Sequence, residues 1–310
     1  MSNVISKEML ANGVANTPIN GILMMRRYSV SLTKTGKEYI QGVLQSQTEI
    51  SFKAWNSSNA FDKLKNEDYV GQVVQISGTF DNYNNELSIV LNDVVAVEWD
   101  DMSIFMPVKY DVAAYWAGLI NMFNDYTSEK AQAIANKALF QNEEVANAFK
   151  KEFAAQSYHD NCVGGLLAHT YKVLVNVINY DRTYAFADTQ DKKDLLALGA
   201  LLHDIGKTKE MHLGAYQRSA MVTHRYLAVE MIDRDLCIQS YGEEWWQQLV
   251  SIFLQHHNEF DDKCRTVWAY IVYIADVSES RLALLRQSME TPQKSEVGDR
   301  VKIDGNWLII

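Results

Sequence analysis

The sequence predicts a multidomain chain that is β first and all-α afterwards, closed by a short C-terminal β-hairpin. Three observations carry that expectation. Alternating or β-branched apolar runs fill residues 20–100, and apolar residues recur at three- and four-residue spacing from about 107 to 289. All seven histidines fall in the helical part, between positions 159 and 257. A length of 310 residues suits about two domains of roughly 100 to 200 residues each. With 47% hydrophobic and 22% charged residues, fibrous and disordered classes fall away.

After a lead-in over 1–19, strands are expected in GILMMRRYSVSLT (21–33), YIQGVLQS (39–46), EISFKAW (49–55), GQVVQISGTF (71–80) and ELSIVLNDVVAVE (86–98). The breaks between them hold Thr35-Gly36-Lys37, Asn56-Ser57-Ser58-Asn59 and Asp81-Asn82-Tyr83-Asn84-Asn85, which is turn chemistry. A short helical piece, AFDKLKN (60–66), separates the third strand from the fourth. Five strands in that order match a five-stranded OB-fold barrel, assigned to 20–103.

A helical connector is expected over 104–158, with VAAYWAGLINMFNDY (112–126) and EEVANAFKKEFAAQ (143–156) as its clearest helices. A helical bundle follows over 159–290. Residues 291–310 read as a hairpin tail with Asp304-Gly305 at the turn. Proline marks the changes of pattern. The three prolines are about 1% of the chain against a usual 5% or so, and Pro18, Pro107 and Pro292 each fall where one regime gives way to another.

No run of 18 or more apolar residues occurs, and MSNVISKEMLANG does not read as a secretory leader, so a cytoplasmic protein without a membrane partner is expected. Cys162, Cys237 and Cys264 are odd in number and far apart, which speaks against a disulfide framework or a cysteine zinc site. The net charge of −10 counts against a protein that coats duplex DNA through a basic surface. A local binding groove is still compatible with it.

Five histidines and two aspartates form an ordered set: His169, His203-Asp204, His224, His256-His257 and Asp276. Each lies on a segment expected to be helical and apolar for most of its length, where a bundle core should be. Burying so many polar groups is costly unless something satisfies them together, and a divalent metal does so for imidazole and carboxylate. Neighbours on a helix point about 100° apart, so His203 and Asp204 can address different directions. The two oxygens of Asp204 then suit a bridging carboxylate between two ions, the arrangement that clamps a phosphoryl group. His159 and His212 read as ordinary residues, and Trp245-Trp246 as packing.

The segments GGLLAHT (164–170), LLHDIGK (201–207), THRY (223–226), LQHH (254–257) and YIADVSE (273–279) resemble the HD-domain metal-dependent phosphohydrolases. With a barrel ahead of them, the whole chain resembles the YhaM-type 3′-to-5′ exoribonucleases. The resemblance implies that His169, His203, Asp204 and Asp276 hold one ion. It implies that His224, His256 and His257 hold a second, with Asp204 bridging and Lys207 meeting the phosphate. The cofactor expected is a pair of divalent ions, manganese first, with iron, cobalt, nickel, zinc or magnesium as alternatives. Attack by activated water would release nucleoside monophosphates from a 3′ end.

The barrel would hold the remaining strand by stacking and phosphate contacts. Candidates are Tyr39, Phe52, Trp55 and Tyr83 with Arg26, Arg27, Lys37 and Lys53. Single-stranded nucleic acid is the expected partner, RNA ahead of DNA, and self-association is left open. The competing expectations are a phosphohydrolase of small nucleotides or cyclic dinucleotides, and a metal-containing nucleic-acid-binding protein without turnover.

Overall fold

Along β3 (Thr48–Trp55), Ile50, Phe52 and Ala54 are buried while Glu49, Ser51 and Trp55 are exposed, the two-residue period of a strand with one face on a core. In the computed structural model, which describes residues 4–83, 86–155, 160–217, 221–259, 262–290, 292–294, 298–303 and 305–309, that core fills a closed barrel. The chain divides into two compact units, Met1–Val108 and Lys109–Ile310, with Pro107 one residue before the end of the first.

In the first unit, helix α1 (Lys7–Ala11) precedes β1 (Pro18–Leu32), β2 (Glu38–Ser46), β3, helix α2 (Asn59–Asn66), β4 (Val73–Tyr83) and β5 (Glu86–Ala96). The strand order is β1-β2-β3-β5-β4, closed by β1 on β4, which is the expected OB-type barrel. Strand β1 serves two neighbours. Residues 18–24 pair with β4 and residues 24–32 with β2, and a bulge between Met25 and Arg27 bends it where it changes partner. The pairing of β3 with β5 is parallel, and α2 spans the connection from β3 towards β4 with Ala60, Phe61 and Leu64 buried. Ser58 caps α2 by accepting the Phe61 N–H at 3.2 Å.

The second unit is helical: α3 (Val112–Tyr126), α4 (Glu129–Ala135), α5 (Glu143–Lys151), α6 (Gly165–Tyr184), α7 (Gln190–Leu202), α8 (Lys207–Glu210), α9 (His224–Met231), α10 (Arg234–Tyr241), α11 (Glu243–Gln255) and α12 (Val267–Glu290). A two-residue ribbon, β6 (Met211–His212) with β7 (Ala215–Tyr216), follows α8. Helix α7 is the centre: every residue from Leu195 to Leu202 is buried, and α6, α11 and α12 pack around it. The C-terminal pair β8 (Arg300–Ile303) and β9 (Asn306–Ile309) is the expected hairpin, with Gly305 at φ +81°. Asp304 of the expected turn lies outside the described residues. Among the described residues, no helix is long and apolar enough to cross a membrane.

Two helices stop earlier than their sequence period suggests. The helix expected over 143–156 ends at Lys151, because the Glu152 carboxylate is buried and accepts backbone N–H groups from Phe153, Leu213 and Gly214 at 2.9, 3.0 and 2.7 Å. Those contacts draw the chain out of the helix and onto the β6–β7 turn. Helix α7 ends at Leu202, so His203 and Asp204, expected inside a helix, stand just beyond it.

Candidate metal centre

The ordered histidines and aspartates gather at helix ends. His169 lies in the first turns of α6, His203 and Asp204 follow the end of α7, His224 opens α9, and His256 and His257 follow the end of α11. Asp276 lies within α12. Helix ends leave backbone carbonyls without helical partners, and two of these orient the imidazoles. His203 Nδ1 donates to Ala200 O at 2.9 Å and His256 Nδ1 donates to Phe253 O at 2.9 Å. The same three-residue offset turns both Nε2 atoms inward.

Carboxylates do the same for two further rings. His224 Nδ1 pairs with Glu210 Oε2 at 2.8 Å, and His169 Nδ1 pairs with Glu279 Oε2. Behind Glu279, Lys172 Nζ donates to Glu279 Oε1 at 2.8 Å and to Asp160 Oδ2 at 3.0 Å, and Asp160 accepts from the Tyr110 hydroxyl. In a neutral ring, fixing one nitrogen as a donor leaves the other as a lone pair, which is how metal-ligating histidines are held. Sequence reasoning gave Glu279, Glu210, Lys172 and Asp160 no role in the site. Glu279 had a signal: it lies one helical turn after Asp276 in the same segment.

Asp204 sits between two groups. Its Oδ2 is 3.6 Å from His169 Nε2 and 3.4 Å from His203 Nε2, and its Oδ1 is 3.5 Å from His224 Nε2 and 3.7 Å from His256 Nε2. Asp276 Oδ1 is 3.2 Å from His169 Nε2. The ligand-type atoms of His169, His203 and Asp276 form one compact set, and those of Asp204, His224, His256 and His257 another, each within 4.8 Å. His257 is the more exposed rim of the second set.

Among the described residues, the buried atoms His203 Nε2, Asp204 Oδ1, His224 Nε2 and His256 Nε2 make no hydrogen bond, and burial without a partner is costly. Separations of 3.4 to 3.7 Å are too long for hydrogen bonds. They are close to the roughly 3.0–3.5 Å between neighbouring ligands placed about 2.1 Å from one ion. The donor set of imidazole and carboxylate therefore fits divalent metal, and both clusters could hold an ion.

The electrostatics agree. Burial opposes charge on Asp204, but Lys207 and the facing histidines outweigh it and hold the carboxyl well below the usual range. Burial, with His257 and His203 nearby, keeps His256 neutral far below its ordinary value, so its lone pair is available. Lys207 Nζ donates to Asp204 Oδ2 and to Ala154 O, each at 2.7 Å. Gly206 lets this turn meet α9: a Cβ there would lie 2.0 Å from the His224 carbonyl oxygen and 2.9 Å from Ala228 N. His212 is exposed on β6, and His159 lies outside the described residues.

On the barrel, β1, β2, β3 and the start of β5 form a groove lined by Arg27, Ser29, Gln41, Ser51, Lys53 and Ser88, with Phe52 also bordering it. Tyr39 and Trp55 are cross-strand partners on the outward face, their rings 5.3 Å apart, with Trp55 39% exposed. Arg26 and Lys37 are exposed. Phe52 needs correction as a stacking candidate. At 1% exposure it belongs to the barrel core, because it shares the inward phase with Ile50 and Ala54. Tyr83 ends β4, and its side chain lies outside the described residues.

A family model described as the HD domain matches residues 166–281. Among solved structures, the chain is similar to the mitochondrial single-stranded DNA binding protein Rim1 from S. cerevisiae, at 14% identity and TM-score 0.24 over 28% of this chain and 100% of that one. It is similar to the protein PriB from Ralstonia solanacearum at 11% identity and TM-score 0.23, over 27% of this chain and 100% of that one. The N-terminal domain of PriB from Thermoanaerobacter tencongensis is similar at 18% identity and TM-score 0.22, over 27% of this chain and 98% of that one.

Proposed function

We propose that this chain, an HD domain behind an OB-type barrel, is a metal-dependent 3′-to-5′ exonuclease that hydrolyses the phosphodiesters of single-stranded nucleic acid, RNA ahead of DNA, releasing nucleoside monophosphates. The HD match supports a metal-dependent phosphohydrolase in general, and the barrel supports nucleic-acid binding. One observation carries the reading: the two oxygens of the buried Asp204 face two separate groups of imidazole Nε2 atoms. Two divalent ions sharing a carboxylate are the arrangement that hydrolyses phosphodiesters.

In this reading His169, His203, Asp276 and Asp204 hold one ion, and Asp204, His224, His256 and His257 hold the other. Such ions, manganese first among them, acidify water and absorb charge on the phosphoryl oxygens when bound. The chain's own groups do the rest. The Nδ1 contacts to Ala200, Phe253, Glu210 and Glu279 keep the rings aimed, so little reorganisation is needed when substrate arrives. Lys207 supplies a point charge for the phosphate, and its ammonium 2.7 Å from Asp204 supports that role. A cluster of imidazoles and carboxylates supports attack by water rather than by a protein nucleophile. Tyr39 and Trp55 stack bases while Arg26, Arg27, Lys37 and Lys53 follow the phosphates.

The test uses a 5′-labelled single-stranded RNA with Mn²⁺, nucleotides and cyclic dinucleotides in parallel, and the double variant His203→Ala/Asp204→Ala as control. A ladder shortening from the 3′ end, absent in the control, is expected. Turnover of the small substrates alone would overturn the proposal.

A further inference from the structure

We infer that Arg225 is a positioning residue that sets the gap between His224 and the His256-His257 pair, and so governs ion binding at the second set without affecting the first. The inference rests on the two-ion reading above. Arg225 directly follows His224 in the first turn of α9, and its guanidinium reaches the segment carrying the other two histidines. Nη1 donates to Leu254 O at 3.0 Å, two residues before His256. Nη2 donates to Glu259 Oε2 at 3.0 Å, two residues after His257, and Asp262 Oδ2 lies 3.5 Å from Nη1. Glu259 Oε1 is in turn 3.7 Å from His257 Nδ1. One side chain therefore grips the backbone before the histidine pair and the side chains after it.

The chemistry suits a brace. Leu254 O belongs to the last turn of α11, where carbonyls have no helical partner and a cation is favoured. A guanidinium is a planar fork with donors at fixed angles, so several acceptors at once define a position, which a flexible ammonium does not. The need for a brace is local: among the described residues, His224 Nε2, His256 Nε2 and Asp204 Oδ1 are buried and make no hydrogen bond, so no direct bond among them fixes their spacing. The side chain is only 18% exposed, which limits solvent screening of its contacts. The first set is built differently. His169, His203 and Asp276 come from α6, the end of α7 and α12, and the contacts of Arg225 are to Leu254, Glu259 and Asp262.

The full chain, Arg225→Met and Arg225→Lys are titrated with Mn²⁺ by calorimetry, with metal content measured after gel filtration and folding checked by circular dichroism. The wild type is expected to bind two ions. Arg225→Met is expected to keep the first at wild-type affinity and to lose about 10–100-fold at the second, with Arg225→Lys in between. Two ions at wild-type affinity in Arg225→Met, or an equal loss at both, would overturn the inference. A wild type that binds fewer than two ions instead overturns the reading on which it rests. Should Arg225→Met fail to fold, Glu259→Ala/Asp262→Ala removes the side-chain acceptors and leaves the arginine. Weakening of the second ion alone then supports the brace, and unchanged binding rejects it.

Discussion

Glu210 accepts the Nδ1–H of His224 at 2.8 Å, joining the single turn of α8 to the first residue of α9. Burial opposes the Glu210 charge, but the His224 contact outweighs it and holds the carboxyl below its ordinary value. Glu210→Gln keeps the shape and loses the charge-assisted bond. Mn²⁺ affinity at the second set is expected to fall about 10–100-fold, and Glu279→Gln is expected to do the same at the first set through His169. Paired calorimetric titrations check this. An unchanged isotherm for either variant would separate that carboxylate from metal binding.

Proton balance gives a second expectation. Burial disfavours charge on His169, but its contacts with Asp276 and Glu279 outweigh burial and raise its pKa from 6.5 to about 10. In ion-free protein at neutral pH this ring carries a proton that an ion must displace from Nε2. Mn²⁺ binding should therefore release protons, and affinity should rise with pH through the neutral range. Stability follows the opposite course. A group with a raised folded-state pKa contributes fully below about 6.5 and loses that contribution as pH rises through about 10. Melting temperature of the ion-free chain should fall across that window, and the Mn²⁺-loaded chain should not show that fall. Calorimetry in buffers of different protonation enthalpy that reports no proton release would show His169 already neutral.

Much of this was legible because residue types and periods were strong. The apolar spacing of 112–126 gives α3 residue for residue, and the strand order with a helix before the fourth strand gives the barrel. The ligand-type residues stood out as polar groups in apolar segments. Their placement just past helix ends did not, because LLALGALL and LVSIFLQ keep a helical period up to the histidines. The helices end through contacts that the rings themselves make, Nδ1 of His203 and of His256 on carbonyls three residues back. Glu279 reaches His169 across 110 residues of sequence, a pairing created only when α6 packs on α12. Phe52 shows the reverse case, in which its phase with Ile50 and Ala54 outweighs its aromatic character.

Gly206 tests how tightly the centre is packed. Gly206→Ala introduces a methyl at 2.0 Å from the His224 carbonyl oxygen, and the nearest neighbours are backbone rather than a flexible side chain. Overpacking of this kind costs about 1–3 kcal/mol. The melting temperature is expected to drop by several degrees. Because α9 must move to make room, the second Mn²⁺ should be lost before the first. A variant with wild-type melting and two tightly bound ions would mean that α8 and α9 separate freely.

The barrel separates grip from chemistry. Trp55 stands on the outer face beside Tyr39, whereas Phe52, three residues earlier, is buried. With cleavage silenced by Asp204→Ala, Trp55→Ala is expected to weaken binding of a labelled single-stranded RNA by about 1–3 kcal/mol, roughly 5- to 150-fold, in fluorescence anisotropy. Phe52→Leu should instead lower the melting temperature and leave affinity nearly unchanged. Lys53→Ala, losing one phosphate contact, should make binding less salt-dependent, by about one unit of the logarithmic slope at most. In an otherwise wild-type chain, Trp55→Ala should leave hydrolysis of a small phosphodiester such as bis(p-nitrophenyl) phosphate intact, since that substrate carries no strand for the barrel to hold. If small-substrate turnover falls as far as RNA affinity does, the tryptophan acts through folding, and the barrel has no separate role in holding the strand.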